Sequence, residues 1–273
     1  MDLLKVECLT HWIALIGYSI ACVVAIFGVV FRKTPERSLF AILAASTALH
    51  TVALGIRWER LGHIPVVNDF EKLSANIWGL MVAVVIAYHL LPKMRAFVAF
   101  VMPVVIMLMA WMMLIPAAES SMPPTYDTIW LVIHIGFIKL FLGSAFVALG
   151  LAAVVLLRNA GIGQERLARM PQDMALDRTA YRCMALALIF DTLGVVAGAI
   201  WAQDAWGRYW SWDPLEVWSL VTWLTIGLML HLRASFRTGP AVNAGMIVAT
   251  WCIAFFTFFG IPFVTTNMHK GMV

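Results

Sequence analysis

Charge is scarce in this chain. Asp, Glu, Lys and Arg make up 12% of its 273 residues, while 62% are hydrophobic. A soluble domain carries about twice that share of charge, so the composition excludes a solvated globular fold and indicates an integral membrane protein. Cysteine is also sparse: Cys8, Cys22, Cys183 and Cys252 lie far apart and form no C-x-x-C. That spacing excludes a thiol-redox motif, a cysteine-ligated zinc cluster and a C-x-x-C-H haem attachment site. Cys22 and Cys252 fall in apolar runs and read as packing residues. The first apolar run, from about Trp12 to Phe31, has no basic segment ahead of it and no small-residue cleavage site behind it. It reads as a retained span rather than a signal peptide. The net charge of +4 implies no nucleic-acid partner, because the basic residues collect in particular loops.

What is abundant is apolar sequence in lengths that cross a bilayer. Runs of about 20 apolar residues suffice for a helical span, and eight fall near 12–31, 38–57, 74–92, 96–115, 128–157, 182–203, 214–233 and 242–264. The expected fold is therefore all-α: a polytopic helical bundle forming a single membrane domain over residues 1–273. Loops at 32–37, 93–95, 158–182 and 233–237 hold twelve of the nineteen Lys and Arg residues. By the positive-inside rule these loops are cytoplasmic and both termini lie outside. In a bacterium the protein then sits in the inner membrane, with the opposite loops facing the periplasm. Lys139 falls well inside a span. Gly194 and Gly198 form a G-x-x-x-G that permits close helix packing.

Tryptophan is concentrated. Six of twelve fall between residues 201 and 223, and residues 206–218 read W-G-R-Y-W-S-W-D-P-L-E-V-W. Aromatic rings are common where a helix meets water, but this density suggests a flat apolar platform for a large planar ligand. Residues 204–218 form the expected outer binding segment, with Trp206, Trp210 and Trp212 as its rings. Asp213-Pro214-Leu215-Glu216 reads as a helix start, with Asp at N-cap, Pro at N1 and Glu at N3. Arg208 has two readings, a partner for a ligand carboxylate or a solvated cation.

Ionisable groups inside spans are functional candidates by default. His134 lies six residues after Thr128, about 9 Å into the fifth helix from the outer side. His269 follows the eighth span on that side. Two imidazoles flanking a tryptophan-lined surface suit haem iron with axial histidines better than zinc, which needs four tetrahedral ligands. Packing or interfacial roles are the competing reading for each. His231 is about 27 Å down the seventh helix from Asp213, so it cannot share that iron: either it binds haem at a separate inner site, or it interacts with the helix dipole and headgroups. His89 is depth-matched to it, and His50 lies nearer the outer half. For His89, an interaction with a helix dipole and headgroups is the simpler reading. His11 and His63 read as ordinary outer-loop residues.

W-G-R-Y-W-S-W-D-P-L-E resembles the tryptophan-rich "WWD" signature of haem-handling proteins in cytochrome c biogenesis. The flanking G-A-I-W-A-Q-D-A and W-S-L-V-T-W-L…L-H-L-R extend the match through two helices. The upstream R-W-E-R-L-G-H-I-P-V-V-N-D-F-E is similar to the second-loop region of the CcsA (ResC) branch, the membrane subunit of the system II cytochrome c synthase. Leu215 and Val217 stand where polar residues are usual. The resemblance implies transport of haem b to the outer face, where the tryptophan loop with His134 and His269 holds it, and His231 as a ligand within the membrane. It also implies a CcsB (ResB)-like partner supplying the second inner ligand, and presentation of haem to C-x-x-C-H motifs of apocytochrome c, as a subunit of a haem lyase. Two alternatives stand beside it: a CcmC-like haem chaperone or exporter without synthase activity, and a bis-histidine b-type electron-transfer protein.

Overall fold

Hydrocarbon offers backbone amides no partners, so each apolar run must satisfy its own by coiling into a helix. The computed structural model, which describes residues 2–264, has eight such runs. They are α1 (Leu3–Val30), α2 (Glu36–Leu61), α3 (Asp69–Leu90), α4 (Val98–Leu114), α5 (Ile129–Asn159), α6 (Asp173–Trp206), α7 (Pro214–Phe236) and α8 (Pro240–Phe255). A π turn at Phe256–Gly260 and a last helical turn at Ile261–Val264 extend α8 to the length of a span. No strand occurs among the described residues. All eight expected spans are present, and the chain is a multi-pass membrane protein.

α5 is the central helix, packing on α3, α4, α6 and α8, while α1 pairs with α2 and α4. Small residues let the backbones close. A Cβ on Gly143 would lie 2.5 Å from Cβ of Ala83, and one on Gly150 would lie 2.8 Å from a Val101 methyl. The ends are set by capping. Asn68 and Glu71 form a capping box at the start of α3, Thr128 caps α5, and Gly62 and Gly207 end α2 and α6 in the left-handed conformation.

Two helices begin well before their apolar runs. α6 starts at Asp173, which shortens the basic loop, and α1 starts at Leu3. Polar residues extend both because partners elsewhere in the fold take up their hydrogen bonds. Glu7 and His11 are buried within α1, so His11 is a core residue and not the loop residue its sequence position suggests. Arg57 of α2 is fully buried and donates to Glu7 Oε1 at 2.7 Å, Glu71 Oε1 at 2.9 Å and the Ala118 carbonyl at 2.6 Å. Arg60 donates to the other Glu7 oxygen at 3.0 Å, and Glu71 Oε2 accepts the Val67 amide at 2.7 Å. The segment R-W-E-R-L-G-H-I-P-V-V-N-D-F-E is thus a clasp whose first and last residues pair. It ties α1, α2, α3 and the 115–121 segment together at the end where the tryptophan loop lies.

Candidate functional site

The loop between α6 and α7 is held by two carboxylates. Asp213 accepts the amides of Leu215 at 2.8 Å and Glu216 at 3.1 Å, completing the capping box that Asp213-Pro214-Leu215-Glu216 implies. Glu216 also reaches backwards: Oε2 accepts the amides of Ser211 at 2.8 Å and Asp213 at 3.3 Å, and Oε1 accepts the Ser211 hydroxyl at 3.0 Å. These bonds bracket Trp212, whose φ of 62° is left-handed and unfavourable for an aromatic residue. Both acids are buried, so the local backbone is over-determined and Trp212 is held outward at 71% exposure.

The aromatic rings do not form a flat platform. Trp210 and Trp212 meet at 87° with centroids 5.9 Å apart, and Trp201 and Trp206 meet at 73° and 4.9 Å. Ring quadrupoles favour this edge-to-face contact over parallel stacking. The result is a set of walls, and the walls do different things. Trp206 packs with Trp201, Tyr126 and Leu131 in a small core of its own, anchored by the Trp201 indole donating to the Thr125 carbonyl at 2.8 Å. Trp210 and Tyr209 line a cavity of about 60 Å³ between α5, α6 and α7. Trp212 and Arg208 stand exposed on the rim.

His134 lies in the wall between that cavity and a second, of about 140 Å³, lined by Tyr126, Trp201, Lys72, Asn76, Lys139 and Phe258 among others. Its Nδ1 is 2.7 Å from the Gly194 carbonyl. A carbonyl can only accept, so Nδ1 carries the proton and Nε2 carries the lone pair that a metal would use. The ring is nearly parallel to Trp201, at 20° and 6.2 Å. Gly198 makes room for it: a Cβ there would lie 2.7 Å from Nδ1. The G-x-x-x-G of α6 therefore seats an imidazole as well as a neighbouring helix. The π turn after α8 directs Phe258 into both cavities.

His231 is elsewhere. It is exposed near the far end of α7, its Nε2 3.5 Å from the Ser235 hydroxyl. α7 packs on α6 and α8, whereas exposed His89 belongs to α3, where it meets Phe40. His50 is enclosed among α1, α2 and α3, with Tyr18 and Ser74 on its two ring nitrogens. His269 lies outside the described residues, and among those described no group of three metal-ligating side chains occurs. The sequence assigns Lys139 and Phe258 no role, and presents Gly198 as a helix-packing residue and Glu216 as part of a helix start. Only the unpaired Lys139 within a span carried a signal that sequence alone displays.

The fold and these cavities define a class: multi-pass helical membrane proteins with an aromatic, histidine-bearing site at one end of the bundle. Within that class, the chain belongs to the Cytochrome C assembly protein family, whose model matches residues 66–269. It is 28% identical over 284 residues to cytochrome c biogenesis protein CcsA of Prochlorococcus marinus (strain AS9601), covering 89% of this chain and 87% of that protein. To CcsA of Guillardia theta it is 26% identical, with 96% and 93% covered. The cytochrome c haem lyase CcmF has the same fold, with a TM-score of 0.75 at 15% identity. The match covers 95% of this chain and 47% of CcmF, so the chain spans about half of that enzyme.

Proposed function

We propose that this chain carries haem b across a bacterial inner membrane and presents it on the periplasmic side to apocytochrome c, as a subunit of a haem lyase. The observation that carries the reading is His134: its Nδ1 is committed to the Gly194 carbonyl, which puts the basic lone pair on Nε2. A partner on the outer nitrogen fixes tautomer and orientation in the way metal-binding histidines require. The donor set suits iron in a planar macrocycle, since His134 sits among aromatic walls and the carboxylate that shares its cavity, Glu216, is committed to Ser211 and Asp213. A porphyrin exceeds the volume of either cavity, so its iron and one edge enter beside His134 while the rest lies against the tryptophan loop, residues 204–218. Trp210 forms the inner wall, Trp206 backs the Trp201 ring that lines the second cavity, and Trp212 and Arg208 are exposed beside them.

In this reading haem is cargo, and it supplies the vinyl groups to which the cysteine thiols of a C-x-x-C-H motif add. The residues of the chain orient it: His134 and His269 as axial ligands, the rings as walls, and Asp213 and Glu216 as the strap holding the loop. The chemical contribution is proximity, one face of the haem being fixed against an incoming acceptor. The exposed face of α7 around His231 suits an inner haem whose second ligand comes from a CcsB-like membrane partner, because the side chain points away from the bundle. Both termini would then face the periplasm, with the basic loops inside.

Purified protein should show a non-covalent b-type haem spectrum. Substituting both His134 and His269 with alanine should abolish it, and added imidazole should restore part of it. Haem retention unchanged in the double variant would refute the outer site. Co-expression with a CcsB-like partner and an apocytochrome separates synthase from chaperone, because only a synthase yields covalent cytochrome without further ligation factors.

A further inference from the structure

The Lys139 ammonium stands about 15 Å along α5 from Ile129, near the middle of a hydrocarbon core about 30 Å thick. A cation at that depth is costly unless something offsets its charge. Among the described residues no carboxylate lies within ion-pair distance of it, and its hydrogen bond goes to the neutral side-chain oxygen of Asn76 on α3. The fold makes space for it nonetheless. Gly79 faces the lysine stem, and a Cβ there would come within 3.1 Å of Cδ. Lys139 lines the cavity of about 140 Å³ that also contains His134, Lys72 and Asn76. It also lines an apolar groove of about 760 Å³ between α3, α5 and α6.

We infer that Lys139, positioned by Asn76, anchors a carboxylate of the ligand whose iron His134 holds, a propionate if that ligand is haem. His134 and Lys139 are five residues apart on one helix, about 7.5 Å along its axis and about 140° apart around it, and both line the one cavity, within the reach of a porphyrin from its centre to its acidic edge. Both side chains reach the same cavity, one with a nitrogen lone pair and the other with a charge. The carboxylate supplies the counter-charge that the described residues do not, and a charge-assisted hydrogen bond forms where no water competes. Lys72, one turn before Asn76 on α3, lines the cavity nearer the helix start. Arg208, for which the sequence offers this role as one of two readings, is exposed.

The inference rests on the haem reading, and one titration series separates the two. The full-length protein in detergent is titrated with iron protoporphyrin IX and with its dimethyl ester, which keeps iron and ring but lacks the acids. Wild type should bind the free acid on the order of tenfold to a hundredfold more tightly than the ester. Lys139→Met should bring the acid down to the affinity of the ester and leave ester binding unchanged. This variant is expected to fold, since it removes an unpaired charge without stranding an opposite one. Loss of Asn76 (Asn76→Leu) should reduce the preference partially. A preference unchanged in Lys139→Met, or one abolished by Arg208→Ala instead, overturns the assignment of Lys139. If His134→Ala leaves binding of both compounds intact, the outer haem site itself fails, whatever Lys139 does.

Discussion

At the scale of single residues, the unusual one is Trp212. A bulky side chain with positive φ costs about 1–3 kcal/mol, and here the Glu216 carboxylate holds the peptides on either side of it. Glycine has no Cβ to clash in this conformation. Trp212→Gly is therefore expected to be more stable than Trp212→Ala by about 1 kcal/mol, the reverse of the usual order, in thermal unfolding of the detergent-solubilised protein. Both variants should retain haem several-fold less well than wild type, because the ring and its contact are lost in each. An alanine variant as stable as the glycine one would show that the backbone at this position is unstrained. Tryptophan density and the Asp213-Pro214-Leu215-Glu216 cap were legible in the sequence because both are local. The left-handed turn was not, since nothing in W-S-W-D demands it until Glu216 folds back over Ser211.

At the scale of elements, the contact between α5 and α6 positions the His134 ring. Gly194 and Gly198 look equivalent in the sequence, but their surroundings differ. A methyl on Gly194 would meet the tip of Ile138 at 2.9 Å, a flexible side chain with room to turn. A methyl on Gly198 would meet the His134 ring, which a hydrogen bond and Trp201 hold in place. Overpacking of this kind costs about 1–3 kcal/mol. Gly198→Ala is expected to weaken haem binding roughly tenfold or more, and Gly194→Ala to leave it close to wild type, measured by haem titration. Equal effects would mean that the two glycines serve helix packing alone. The extent of the helices was readable in the apolar runs, while the early starts of α1 and α6 were not. The residues that extend them, such as Glu7 and Asp173, are polar and find their partners, Arg57 and Arg158, on other parts of the fold.

Considered as a whole, the molecule is fastened at both ends by ionic clusters. At the tryptophan end Arg57 joins α1, α2 and α3; at the basic end Asp177 of α6 pairs with Arg233 of α7 and accepts from Asn243 of α8. A buried pair contributes little relative to apolar packing, but removing one member strands the other. Arg57→Met should destabilise the protein by about 3–5 kcal/mol, since Glu7 and Glu71 are both fully buried. The triple variant Glu7→Gln, Arg57→Met, Glu71→Gln should recover at least half of that loss. A single variant as stable as wild type in denaturant or thermal unfolding would remove the clasp from the account of how this end is held.

Sequence alone determined the membrane class, the number of spans, the helix start after the tryptophan loop and the family, because each follows from composition or from residues adjacent in the chain. Hydrophobic run length and a capping tetrapeptide need no knowledge of the rest of the fold. Tertiary structure decided which residues share a space: His134 with Gly194 and Gly198, Lys139 with Asn76 beside the same cavity, and Arg57 between two acids fifty and fourteen positions away. It also turned the expected flat aromatic platform into a set of edge-to-face walls. Those outcomes depend on helices that approach within a glycine's width of one another, and helix adjacency in a bundle is fixed by packing over the whole chain.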